Sequence, residues 1–165
     1  MFKKVFRFII LAAGIVFLGM QVDRPAKNIS NDQSKHLSTV FAIPESVDSI
    51  LTVACYDCHS NNTRYPWYAE FQPVGQWLDG HIRLGKKELN FSEFASYRPR
   101  KQYHKLEEIE EMVKDNLMPL SDYTIMHHDA RLSDNQKSLL IAWTKTIQDS
   151  LKLIHHPDSL KVQKR

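Results

Sequence analysis

At 165 residues the chain has room for a membrane anchor or signal plus one domain with a real core. Its formal net charge is +3, and part of that excess sits at the two ends, in Lys3, Lys4 and Arg7 and in Lys161, Lys164 and Arg165. So mild and terminal an excess gives no reason to expect nucleic acid as a partner, and the lack of internal repeats, a glycine-rich phosphate loop or a low-complexity tract sets aside repeat folds and phosphate-loop chemistry.

The first element is an apolar run from Phe8 to Met20, which Val5, Phe6 and Val22 extend to nearly the length a bilayer requires. Residues 1–22 therefore read as a membrane anchor or a signal. A cleavable signal ends in a small-x-small site, and Gly19-Met20-Gln21-Val22-Asp23 matches that poorly, so an uncleaved transmembrane helix is favoured. A buried soluble helix would have to explain the missing polar face. The basic cluster ahead of the run should stay in the cytoplasm, which sends the rest of the chain outward. The expectation is a single-pass protein of the cytoplasmic (inner) membrane whose C-terminal domain faces the periplasm.

Residues 23–42 are polar and without sustained period, and they read as a linker or tether. Pro44 suits a first helical turn, and Val47, Ile50, Leu51 and Ala54 follow with helical spacing. That helix delivers Cys55-Tyr56-Asp57-Cys58-His59 at its C-terminal end. C-x-x-C-H is the attachment signature of c-type haem. Each thiol adds to one vinyl group of the porphyrin, so the cysteines must lie about a helical turn apart, and the histidine behind them is held under the ring where its imidazole can bind iron. Two other chemistries use a cysteine pair. A structural zinc site wants four ligands, and with no second cysteine pair it would have to recruit from His81, His104, His127 and His128. A thioredoxin-type dithiol belongs in a βαβ pattern, which is absent around Cys55. An outward-directing anchor agrees with haem attachment, which takes place outside the bacterial cytoplasm.

After the motif, Trp67 and Tyr68 are natural walls for a porphyrin, though any core uses such residues. Arg64 either pairs with a haem propionate or stands exposed and unpaired. Beyond Pro73, Val74, Trp77, Leu78, His81 and Ile82 keep helical spacing, with Gly85 as C-cap, and His81 falls on the buried face. It is either a hydrogen-bonded core residue or the second choice for a sixth iron ligand. A short turn or helix at Leu89–Phe94 and a basic loop from Tyr97 to Tyr103 lead to a helix from Lys105 to about Asn116, with Leu106, Ile109 and Val113 on one face.

Pro119 pushes Met118 out of helical geometry. A loop methionine about sixty residues after the haem histidine can come round to the far face of the ring, and Met/His ligation raises the potential of electron-transfer haems. Met118 is the favoured distal ligand, against the reading that it only packs in the core. Residues 123–130 read as a loop, whose His127 and His128 point in different directions and make a poor metal pair. A capping box at Ser133 to Gln136 opens the last helix, which aligns Leu140, Trp143, Ile147 and Leu151 and stops before Pro157.

The run Cys55 to Tyr68 (CYDCHSNNTRYPWY), then His81-Ile82-Arg83-Leu84-Gly85, Leu89-Asn90-Phe91-Ser92, Met118-Pro119-Leu120, His127 and Ala130-Arg131-Leu132-Ser133 resemble the bacterial haem-binding domain family of single-haem, membrane-tethered c-type proteins. The resemblance covers roughly residues 40–150. It implies an all-α, small c-type cytochrome-like helical domain over residues 43–153, followed by a polar tail, 154–165. It further implies one haem c, with its iron, per chain, bound through Cys55, Cys58 and His59, with Met118 and Pro119 on the distal side. The expected function is electron transfer to unidentified redox partner proteins, as an electron carrier and not a catalyst. The alternative is a haem peroxidase-like enzyme or a gas or redox sensor with an open or labile sixth position, for which His81 or His127 would serve as distal acid/base groups.

Overall fold

Eight α-helices account for most of the chain in the computed structural model, which describes residues 2–160; Lys161, Lys164 and Arg165 lie outside the described residues. In chain order they are α1 (Phe2–Met20), α2 (Glu45–Ala54), α3 (Tyr56–His59), α4 (Val74–Glu88), α5 (Pro99–Lys114), α6 (Ser121–Met126), α7 (Asp134–Ile154) and α8 (Pro157–Leu160). Tighter 3-10 turns at Leu37–Thr39, Trp67–Glu70, Phe91–Ser96 and His128–Ala130 connect them. Among the described residues there is no strand, only an isolated antiparallel bridge between Ile29 and Asn62. The all-α expectation holds.

The core is built by the stripes that the sequence shows. Helix α7 packs against α5 and against α2. Leu140, Trp143, Ile147 and Leu151 of α7 are buried with Leu106 and Val113 of α5, and with Val47, Ile50 and Leu51 of α2. Each such side chain contributes about 1.5–3 kcal/mol when fully buried. The Ser133 capping box forms as expected, the Gln136 amide donating to Ser133 Oγ at 3.3 Å and the Ser133 amide to Gln136 Oε1 at 2.9 Å. Trp143 satisfies its indole by donating to the Ala42 carbonyl at 3.1 Å.

Several expectations need correction. The basic stretch 97–103 is not a loop throughout: Pro99 opens α5, because a proline loses nothing at the first helical position, where its missing amide would have no partner. Gly85 does not cap α4, which continues to Glu88; it lies where α4 touches α3, and a Cβ there would stand 2.7 Å from the Cys58 carbonyl oxygen. Of the loop expected over residues 123–130, residues 123–126 belong to α6, which starts at Ser121. The 23–42 segment is not a free tether. Asn28 Nδ2 donates to the Ser60 carbonyl and to Thr63 Oγ1 at 2.9 and 3.0 Å, and Leu37 is buried in the core. Asn28 and Leu37 thus fasten a largely exposed polar segment to the domain, and the segment is a strap. Beyond His155, Leu160 of α8 is buried against α5 despite the polar sequence around it.

Helix α1 has no buried residue. Among the described residues no helix is long and apolar enough to cross a membrane; Lys3, Lys4 and Arg7 occupy the start of α1 and leave Phe8–Met20 as its uncharged run.

Candidate functional site

Helix α2 ends at Ala54, and the chain turns at once into α3, the amides of Cys58 and His59 both donating to the Cys55 carbonyl, at 3.2 and 2.9 Å. One turn therefore carries both cysteines, which are free thiols. They line a cavity of about 310 Å3 together with His59, His81, Met118 and Tyr123. A neighbouring cavity of about 210 Å3 shares Cys55, His59 and Met118, and a third of about 330 Å3 shares Cys58, His81 and Tyr123. The cleft formed by the three falls in the size range of cofactor sites, about 300–1,000 Å3.

His59 is oriented by the start of the segment after α4. Its Nδ1 lies 3.0 Å from the Leu89 carbonyl oxygen. A carbonyl can only accept, so Nδ1 carries the proton and Nε2 keeps its lone pair. Burial lowers the His59 pKa, outweighing the Leu89 and Gly85 carbonyls, so the ring is neutral and can act as a ligand. Burial also pushes the Cys55 thiol up to about 12 and the Cys58 thiol up to about 11, the latter helped by Asp57. Both sulfurs thus remain protonated thiols.

Met118 reaches the cleft through the end of α5. Asn116 adopts a left-handed φ of 57°, and the amides of Leu117 and Met118 both turn back to the Met112 carbonyl, at 2.9 and 3.1 Å. This is the reversal by which a helix ends on a left-handed residue. Met118 lies outside helical geometry, between the end of α5 and the start of α6, as expected. His81, expected on the buried face, is only half-buried: it donates from Nδ1 to the Trp77 carbonyl at 3.0 Å, packs on the Trp77 ring, 4.3 Å between centroids, and borders the first cavity. Met118 borders both cavities that His59 borders, and His81 borders one of them.

Asp57 carries a network that the motif reading passed over. Its buried carboxylate accepts from Arg64 Nε at 3.1 Å, Arg64 Nη2 at 3.2 Å, the Arg64 amide at 3.1 Å and the Tyr123 hydroxyl at 2.8 Å. Arg64 is therefore not unpaired: Asp57 holds it and raises its pKa. Burial, with Asp57 second, raises the pKa of Tyr123, so its phenol stays a donor. The Tyr123 ring stacks on His127 at 4.2 Å, and His127 Nε2 meets the Tyr68 hydroxyl at 2.8 Å. His127 is thus tied to two tyrosines, and among the described residues no group of three or more His, Cys, Asp or Glu side chains could hold a metal ion. The zinc reading is left without its second pair of ligands.

The profile of the haem-binding domain family matches residues 15–146. The chain belongs to this family. It is also similar to cytochrome c peroxidase Ccp of Escherichia coli (strain K12), 28% identical over 93 residues, which are 54% of this chain and 20% of that protein. The chain thus spans about a fifth of the length of that relative. No solved structure matches it.

The residues of this haem-binding domain fit the cofactor. Two free thiols one turn apart, a neutral imidazole with an available lone pair and a thioether border one cavity whose lining is otherwise largely apolar, with Ala54, Leu84 and Leu120 among it. Trp67 stands out in solvent and makes no wall, whereas Tyr68 and Trp77 do line the cleft. Three contributors were not legible in the sequence. Asp57 occupies a position that C-x-x-C-H leaves open, Tyr123 lies in what read as a loop, and the Leu89 carbonyl that orients His59 has no side-chain signature at all.

Proposed function

We propose that the chain binds one haem c covalently and serves as an electron carrier held at the outer face of the cytoplasmic membrane. The observation that carries this reading is the convergence of Cys55, Cys58, His59 and Met118 on a single cavity. Cys55 and Cys58 would anchor the haem, each S–H adding across one vinyl group, sulfur to one carbon and hydrogen to the other, so that attachment would need no oxidant. Nε2 of His59, left free by the contact of Nδ1 with the Leu89 carbonyl, and the Met118 sulfur would hold its iron; Met118 is favoured over His81 because it borders both cavities beside His59. Held by both residues, the haem would supply Fe(II)/Fe(III) electron exchange with redox partner proteins and leave no iron site for substrate.

The membrane part rests on the charge pattern of α1: Lys3, Lys4 and Arg7 precede an uncharged run, Phe8–Met20, none of which is buried in the domain, although with those charges the helix is not long and apolar enough to count as a span by itself. Lys3, Lys4 and Arg7, at its start, have stems long enough to reach the headgroups. Their charge keeps that end in the cytoplasm and directs the domain to the periplasm.

The likeness to cytochrome c peroxidase favours a second reading, a peroxidase-like enzyme or a sensor with a labile distal position. One set of measurements separates the two. Protein expressed with a haem-maturation system keeps its haem through acid-acetone extraction and shows the far-red band of Met-bound ferric haem, which Met118→Ala removes. Freely extracted haem overturns covalent attachment. Rapid CO binding to the reduced wild type overturns the closed electron carrier in favour of the second reading, and loss of the band in His81→Ala alone reverses the choice of ligand.

A further inference from the structure

The exit of α1 is not loosely joined to the domain. The Gln21 side chain makes two hydrogen bonds with the main chain of Gln72: Nε2 donates to its carbonyl and Oε1 accepts from its amide, both at 3.0 Å. Arg24 pairs with Glu70 at 3.3 Å, Lys27 pairs with the same carboxylate, and Gln76 Nε2 donates to the Asp23 carbonyl at 3.1 Å. Residues 21–27 are thus clamped to residues 70–76, which fixes the end of α1 against one corner of the domain.

That corner is apolar and in solvent. Trp67 is 74% exposed, Phe71 52%, Trp77 46% and Val74 39%. The Trp67 ring meets Phe71 at 6.2 Å and Tyr68 at 5.9 Å, and Tyr68, Val74 and Trp77 line one cavity, so the group is continuous. An exposed patch of large apolar side chains marks an interaction surface. Its composition and its place argue for one occupant. Tryptophan and neighbouring aromatic rings gather where hydrocarbon gives way to headgroups, and this patch flanks the clamp on the end of a helix none of whose apolar side chains is buried.

We infer that Trp67, Phe71, Val74 and Trp77 form a lipid-docking ridge that seats the domain on the surface of the membrane holding α1. This rests on the proposed membrane insertion of α1. Seated in this way, the domain does not swing on its strap. Tyr68, Val74 and Trp77 belong both to the ridge and to the wall of the third cavity, so this mouth of the haem cleft opens at the membrane surface.

The test uses the full chain in phosphatidylcholine vesicles whose acyl chains carry a photoactivated diazirine near the headgroup. Trypsin separates residues 8–27 from residues 65–83, which contain the whole ridge, and both from the peptide carrying Leu153 and Ile154. Those two are 89% and 73% exposed, as apolar as the ridge but distant from it in sequence. The expected result is lipid adducts on 8–27 and on 65–83, each several-fold above the Leu153 peptide. Trp67→Ser combined with Phe71→Ser should remove most adducts on 65–83 and leave those on 8–27. Adducts on 8–27 with none above background on 65–83 overturn the ridge and leave the anchor standing, as does full labelling of 65–83 in the double variant. No adducts on 8–27 overturn the anchor and the ridge with it.

Discussion

The Tyr123 hydroxyl donates to Asp57 Oδ2 at 2.8 Å, joining the turn that holds both cysteines to the helix that follows Met118. The same carboxylate holds Arg64, so one buried side chain fastens three segments around the cleft. Tyr123→Phe keeps the ring on His127 and removes this bond, together with the long 3.5 Å contact of the same hydroxyl to the Val53 carbonyl. A hydrogen bond to a charged group contributes about 1.5–3 kcal/mol, and urea unfolding should register a loss of that size. Asp57→Ala should cost more, because it strands the phenol and the Arg64 amide; the half-exposed Arg64 guanidinium recovers water and adds less. Equal midpoints for wild type and Tyr123→Phe would show that the bond carries no load.

Two glycines of α4 should respond with opposite signs to the same substitution. At Gly80 an added Cβ meets nothing within 4 Å, and Gly80→Ala should stabilise by about 0.5–1 kcal/mol through lost unfolded-state freedom. At Gly85 the Cβ would lie 2.7 Å from a backbone oxygen of Cys58, which cannot swing aside. Gly85→Ala gains about 1 kcal/mol in helix propensity and loses about 1–3 kcal/mol to overpacking. It should lower both the melting temperature and the fraction of chains that retain haem. A stabilised Gly85→Ala variant would mean that α4 and α3 part freely.

Asn28 holds the strap with its whole amide: Nδ2 donates to Ser60 and Thr63, and Oδ1 accepts from Lys86. Asn28→Ala should release the segment locally, and limited tryptic cleavage after Lys27 should rise several-fold with little change in global stability. Unchanged cleavage would return residues 23–42 to the status of a tether.

His36 gives the strap a pH dependence. Its Nδ1 accepts from the Ser38 amide at 3.2 Å, which an imidazolium cannot do. Burial lowers its pKa from 6.5, against the opposing pull of Asp48. The unfolded chain therefore binds the proton first, and the contribution of His36 is complete above pH 6.5 and is lost as pH falls through the folded-state value. An NMR titration should place His36 below 6.5, and His36→Asn, which can still accept, should flatten the stability profile on the acid side. A His36 titrating at or above 6.5 would contradict the cap.

The sequence by itself determined the elements whose signal is local. Helical stripes over α2, α5 and α7, the Ser133 capping box and the Pro119 break are each written within a few residues, because helix formation and capping act over one or two turns. The C-x-x-C-H turn is equally local, so Cys55, Cys58 and His59 stand out as candidates before any fold. Only the tertiary structure decided what is set by residues distant in the chain. Met118 and His59 border the same cavities, Leu89 orients His59, Asp57 receives Tyr123, and Asn28 turns a polar stretch into a strap. A polar side chain reads the same in sequence whether its partner is water or a carbonyl thirty residues away. Packing removes the water and leaves one partner, and this is why half of the site had to be seen in three dimensions.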